Sequence, residues 1–241
     1  MLRVIKFLKD ALLVVPITLI FQPIAKYLAF IYYYNKLIIW IYKNQKSIAF
    51  KDFYKPIRDY NKRFKLYEYI QGLHQLTHQP IHYLEFGVAA GTSFKWWLAT
   101  NQDASSRFFG FDTFEGLPED WGTYDKGAMS AHMPVINDER GNFYKGLFQD
   151  TLLPFIKENS ALLHADVVKV IHMDADLYSA TAFTLAQLYP FLHKGDIILF
   201  DEFSVAMHEF KAYDEFINNY YIKLTPIGSV NNFYQTAFIV G

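Results

Sequence analysis

The chain has 241 residues, enough for one sizeable domain and an extension that together bury a core without covalent staples. It has no cysteine, which excludes disulfides, thiolate zinc sites and cysteine nucleophiles and leaves His, Asp and Glu as metal ligands. The net charge of −1 hides an asymmetry: residues 1–50 hold seven Lys/Arg and one acid, Asp10, while the rest holds 16 basic and 23 acidic residues, an acidic body that argues against a nucleic-acid partner.

The basic, apolar head comes first. No charge occurs from Ala11 to Ala25; Arg3, Lys6 and Lys9 precede this stretch, and Lys43 and Lys46 follow further on. A cleaved signal peptide would need an A-x-A-like site, and none follows Ala25. A spanning helix needs about 20 apolar residues, and Pro16, Pro23 and Lys26 interrupt this one. Residues 1–46 therefore read as an in-plane or hairpin membrane anchor, with Trp40 and Tyr32, Tyr33 and Tyr34 suited to the headgroup layer and the lysines free to snorkel. The alternative is a helical arm packed on a second subunit of a homo-oligomer. The expected location is cytoplasmic, peripheral on the inner face of the membrane.

Residues 51–79 read as a polar linker and helix, with Phe64, Tyr67, Ile70 and Leu73 at helical spacing. From Ile81 short apolar runs alternate with helical stretches. The runs are His82–Phe86, Arg107–Phe111, Val167–Met173 and Ile197–Phe200, with a late pair around Ile222–Pro226 and Ala237–Val240. Helices are expected at Ser93–Thr100, Ser179–Leu192 and Val205–Tyr220. This alternation predicts an α/β fold, a doubly wound, mostly parallel sheet covered by helices on both faces. Thr113–Asn142 is too long for an ordinary connection and reads as a functional lid, with Trp121, Tyr124, His132 and Met133 as candidates to shape an acceptor pocket.

Chemistry concentrates where strands end. Tyr83 to Ser93 carries E-x-G-x-x-x-G at a strand-to-helix turn, where Gly87 and Gly91 permit a tight turn and close approach to a ligand, and Thr92 and Ser93 open the helix. The dinucleotide pattern G-x-G-x-x-G is absent, and the acidic Glu85 suits a cationic sulfonium better than a pyrophosphate. Asp112 stands 21 residues after Gly91, at the expected tip of the next strand, where a carboxylate reaches a ribose; its other reading is a cap on the turn before Glu115-Gly116. A second group lies at His172-Met173-Asp174-Ala175-Asp176 and, 27 residues beyond Asp174, at Asp201-Glu202. Carboxylates gathered at buried strand tips repel unless a cation neutralises them, so Asp174, Asp201 and Glu202 form a hard oxygen site for magnesium. Asp176 reads more readily as a helix cap, and His172 as either a core histidine or a base.

The runs YLEFGVAAGTSFKWW, FFGFDTFEGLPEDW, KGLFQDTLLPF, HMDADLYSAT and LYPFLHKGDIILFDEF together resemble the macrocin O-methyltransferase (TylF-like) family of class I methyltransferases, over roughly residues 80–240. The resemblance implies a Rossmann-like domain over 80–241, S-adenosylmethionine as methyl donor, and magnesium-dependent methylation of a hydroxyl, on a sugar in relatives. By position it puts Glu85, Gly87 and Gly91 on the glycine motif, Asp112 on the ribose acid, Phe148, Gln149 and Asp150 near the adenine, and Asp174, Asp201 and Glu202 on the metal. The family has Asp-Asp where this chain has Asp201-Glu202, and Gly-Gly where it has Gly195-Asp196. The expected function is O-methylation of a sugar or a glycosylated or lipid-linked small molecule, with the acceptor's proton going to Asp174 or His172. Two rivals are a metallohydrolase built on His172, Asp174, Asp176 and Asp201, and a catalytically silent membrane-associated binding module.

Overall fold

The structure, a computed structural model, describes residues 1–14 and 17–241; Pro16, one of the breaks expected in the N-terminal stretch, lies outside them. The N-terminal part forms α1 (Leu2–Val14), a short 3-10 turn at Ile17–Phe21, and α2 (Gln22–Asn44), with α3 (Lys62–Leu73) after a strap of irregular chain. The body alternates β1 (Ile81–Phe86), α4 (Thr92–Thr100), β2 (Arg107–Asp112), β3 (Gly141–Lys145), α5 (Phe148–Glu158), α6 (Ser160–His164), β4 (Val168–Met173), α7 (Tyr178–Leu188), β5 (Ile197–Phe200), α8 (Glu209–Asn219), β6 (Leu224–Val230) and β7 (Gln235–Val240).

The strands form one sheet in the order β3-β2-β1-β4-β5-β7-β6. The first five run parallel, and β7 pairs antiparallel with both β5 and β6. This is the class I methyltransferase arrangement, a Rossmann-like mixed sheet with N-terminal helices. Strand order reverses between β1 and β4, so a crevice opens beyond the carboxyl ends of those two strands.

Alternation along the strands decides which side chains serve which face. Leu84 and Phe86 of β1 join a core with Ile171, Met173, Phe200 and helices α5, α7 and α8; Ile81 and Tyr83 join another with Val170, Leu66 and Ile70 of α3, and Phe94 and Trp97 of α4. Glu85 and His172 are paired in register and point to the α3–α4 side. The stripe that α3 buries is Leu66, Tyr67, Ile70 and Gln71; Leu73, expected on it, is half exposed.

Three elements differ from the sequence expectation. β3 begins at Gly141, inside the segment read as loop; it is a half-exposed edge strand whose Gly141 and Asn142 carry no strand propensity. α7 stops at Leu188 because Pro190 lacks an N–H to donate, leaving a 3-10 turn at Tyr189–Phe191. α8 begins at Glu209 rather than near Val205.

The N-terminal extension is docked along part of its length. Leu37 and Ile48 are buried, and Trp40 packs edge-on against Phe203 and donates its indole N–H to Tyr213 Oη at 3.0 Å. α1 buries no residue. Among the described residues, no helix is long and apolar enough to cross a membrane.

Candidate active site

Backbone hydrogen bonds zip the strand tips together: Gly87 N donates to Phe111 O, Asp174 N to Phe86 O and Asp201 N to Met173 O, each at 2.9 Å. The approach of β1 to β4 is so close that a Cβ on Gly87 would lie 1.7 Å from the Asp174 carbonyl oxygen, and Gly87 has φ +96°. Only glycine fits there. Asp112 completes the turn from β2: Oδ2 accepts the N–H groups of Val88 and Ala89 at 2.7 Å, and Oδ1 accepts that of Phe114 at 2.7 Å. Asp112 thus caps its own turn and moulds the glycine loop, and it also lines the crevice.

A cavity of about 350 Å³ occupies this crevice. Gly87, Asp112, Phe148, Gln149, Asp174, Asp201 and Glu202 line it, joined by Leu117, Trp121, Tyr124 and Met129 of the long segment. The other expected residues lie elsewhere. Gly91 sits under Pro134, whose Cγ would be 2.8 Å from an added Cβ. Thr92 only opens α4, and Ser93 is buried with its hydroxyl 3.2 Å from Tyr67 Oη. Asp150 is exposed in the first turn of α5. Glu85 accepts the Tyr83 hydroxyl at 2.5 Å on the α3–α4 side. His132 and Met133 do not line the cavity.

His172 stands behind the wall, its Nδ1 2.9 Å from Tyr83 Oη and its Nε2 3.4 Å from Tyr67 Oη. Burial disfavours its charge, but the carboxylates of Asp201 and Glu85 prevail and push its pKa up to about 10. His172 is not among the residues that line the cavity, so contact with an acceptor is left to the carboxylates that do.

The three carboxylates expected to hold a metal fall into two overlapping groups that share Asp174. Ligand atoms of His172, Asp174 and Asp201 lie within 4.8 Å of one another, as do those of Asp174, Asp176 and Glu202. Asp176 is no helix cap: Leu177 holds the N-cap position without any side-chain cap bond, and Asp176 faces the cavity. Glu209 is fully buried beside them, accepting the Glu202 N–H at 2.8 Å. Asp201 Oδ1 and Glu202 Oε2 are buried without a hydrogen-bond partner, a costly state that a hard divalent cation would relieve. The donor set therefore fits such an ion.

Burial, and then Asp201, hold the Asp174 carboxyl well above the ordinary range; burial, then Asp174, do the same to Glu202. Asp176 is pushed up to about 7 by burial and then by Asp201. In the metal-free fold the raised carboxyl of Asp176 favours the protonated state, so its contribution to stability is fully present below the ordinary carboxylate range and lost as pH climbs through about 7. Cation binding has the opposite slope, because the ion must displace that proton. Titration with magnesium in buffers of different ionisation heat will show proton release that declines as pH climbs through about 7, where Asp176 ionises unaided, with affinity rising across that range. A proton count independent of pH would remove these carboxylates from the cation site.

Sequence reasoning missed the wall supplied from outside the body. Arg63 of α3 brings its Nη1 to 3.3 Å from Asp201 Oδ2 and 3.8 Å from Asp174 Oδ2, and Tyr60 and Tyr234 line the cavity beside it. The signal was present in the helical spacing Arg63, Tyr67, Ile70, which puts the guanidinium on the buried stripe.

The family model described as Macrocin-O-methyltransferase (TylF) matches residues 134–236, the segment holding every metal-ligand candidate. Over that segment, less than half of the chain, the sequence is similar to the TylF family of O-methyltransferases. No curated protein matches it in sequence. Among solved structures, it resembles CalS11, a calicheamicin methyltransferase, with TM-score 0.59 and 20% identity over 76% of this chain and 80% of that one. It also resembles the O-methyltransferase NovP, with TM-score 0.50 and 20% identity over 74% and 77%. At such identity these two likenesses carry the fold and no further detail.

The departure at Asp196 finds its explanation at the other end of the sheet. Its Oδ1 accepts the Lys169 N–H at 2.8 Å, and its Oδ2 accepts the His193 N–H at 2.7 Å and pairs with the buried Lys169 ammonium at 3.2 Å. It is a lock between the starts of β4 and β5.

Proposed function

We propose that this chain transfers the methyl group of S-adenosylmethionine to a sugar hydroxyl with help from a divalent cation. The observation that carries the reading is that one cavity joins a glycine-floored turn, an acid at the neighbouring strand tip and a cluster of buried carboxylates. CalS11, which shares the fold, is a TDP-rhamnose 3'-O-methyltransferase, and this supports a sugar as acceptor.

Gly87 and Ala89 would floor the adenosyl site, Asp112 would accept ribose hydroxyls with its remaining lone pairs, and Phe148 and Gln149 would flank the base. Glu85, Gly91, Thr92, Ser93 and Asp150 support that loop and its helices from outside the cavity. Bound S-adenosylmethionine supplies an electrophilic methyl group on a sulfonium centre. A divalent ion held by Asp174, Asp201 and Glu202, with Asp176 beside them, supplies a Lewis acid that lowers an acceptor hydroxyl's pKa. Asp174 would take the acceptor proton, a role supported by its place in the cavity lining, where His172 is absent. Leu117, Trp121 and Tyr124 roof the site and would exclude water; near-attack orientation of this kind is worth up to ~7–11 kcal/mol.

Incubation with methyl-tritiated S-adenosylmethionine, magnesium and nucleotide sugars bearing vicinal hydroxyls tests the proposal. Label is expected on a sugar oxygen, and chelator should abolish it. Magnesium-dependent hydrolysis of the acceptor without methyl transfer would instead support the hydrolase reading.

A further inference from the structure

The N-terminal extension carries apolar surface that the fold leaves uncovered. In α1, Val4, Phe7, Leu8 and Ala11 form one helix face while Arg3, Lys6 and Lys9 form the opposite one. None of these residues is buried, and Phe7 is 71% exposed. α2 turns one stripe, Tyr33, Leu37 and Trp40, onto the body and leaves another outside: Ile24, Tyr27, Ile31, Ile38 and Tyr42. Tyr27 is 67% and Tyr42 73% exposed. A monomer rarely leaves so many large apolar side chains exposed along two helices without a partner for them.

We infer that α1 and the outer stripe of α2 dock on the surface of an anionic lipid bilayer. Three observations select lipid over protein. The charge is complementary to lipid headgroups, since residues 1–50 carry seven Lys/Arg against Asp10 alone. The helix pattern is that of an in-plane element, with cations on one face and Phe and Leu on the other, and no described helix is long and apolar enough to span. The outward residues of α2 are rich in tyrosine, an amphipathic ring suited to the headgroup layer.

The docking surface is mechanically tied to the cavity. Tyr33 donates to Glu215 Oε1 at 2.8 Å, and Tyr178, the first residue of α7, donates to Glu215 Oε2 at 2.5 Å. Lys36 pairs with Asp214, and Lys211 lies over the rings of both Tyr33 and Tyr178. Tyr178 sits between the cavity-lining Leu177 and Ser179, so a docked chain holds that cavity wall one helix away from the lipid.

Sedimentation of the full chain with vesicles tests this without any turnover, and its outcome is independent of the methyl-transfer reading. The protein should bind vesicles of phosphatidylcholine mixed with phosphatidylglycerol, bind pure phosphatidylcholine weakly, and be released in part by salt. The double variant Phe7→Glu, Leu8→Glu should lower binding by about tenfold or more, since both side chains leave the apolar face of α1. It touches no core residue, and unchanged affinity for S-adenosylhomocysteine will report that it folds. Absence of vesicle binding by the unaltered chain overturns the inference, as would sedimentation velocity showing a stable dimer in which the double variant becomes monomeric while vesicles bind neither.

Discussion

Asp201→Asn will abolish cation-stimulated methyl transfer while leaving affinity for S-adenosylhomocysteine within about threefold of the unaltered chain. Asp201 closes β5 beside the tip of β4 and is almost fully buried, with Oδ1 lacking any hydrogen-bond partner and Oδ2 shared between Arg63 and the Gln235 side chain at 3.3 Å each. The amide keeps the volume and one acceptor for Gln235 but removes the charge that a divalent ion requires. Neither contact reaches Gly87 or Asp112, so the adenosyl side of the cavity is untouched. A loss of about three decades in kcat, ~4 kcal/mol of transition-state stabilisation, is expected. Full-rate turnover of the variant in chelator would end the cation's role.

Gly87→Ala has the larger structural effect. The added methyl would meet the Asp174 carbonyl at 1.7 Å, backbone against backbone, at φ +96°. The two strand tips must part, so the fold should lose about 2–4 kcal/mol in urea unfolding, through the left-handed backbone and overpacking together. Affinity for S-adenosylhomocysteine should drop by more than ~100-fold, since the tips form the cavity floor. Gly195→Ala is the control: at φ +98° it has nothing within 4 Å of the added carbon, so it should cost about 1–2 kcal/mol and leave binding intact.

What could be read before folding was largely what is local. Strand runs ending in Gly or Asp placed Gly87, Asp112, Asp174 and Asp201 at tips of a parallel sheet, and period and spacing suffice for that. The edge strand β3 escaped because its half-exposed, glycine-led residues have no alternation to detect. Tyr60 and Tyr234 escaped for another reason, as did the place where the stripe bearing Arg63 docks, which helical spacing does not tell. The strap before α3 runs along β6, with Ser229 N donating to Phe50 O at 2.9 Å and Asn231 donating to Asp59 O at 2.9 Å. Contacts between residues 170 or more positions apart leave no trace in a local window. Gly228 allows the close approach of α3, since a Cβ there would lie 2.6 Å from Leu66 Cδ1. That Asp176 lines the cavity instead of capping α7, and that His172 stands behind the wall, depends on backbone placement that residue type alone does not specify.

Calorimetric titration of the purified chain with S-adenosylhomocysteine, the demethylated product of the donor, goes to the heart of the matter. The cavity between the tips of β1, β2 and β4 predicts one saturable site, lost in Gly87→Ala and kept in Asp201→Asn. No heat of binding from the well-folded protein, or binding that Gly87→Ala leaves unchanged, would contradict it.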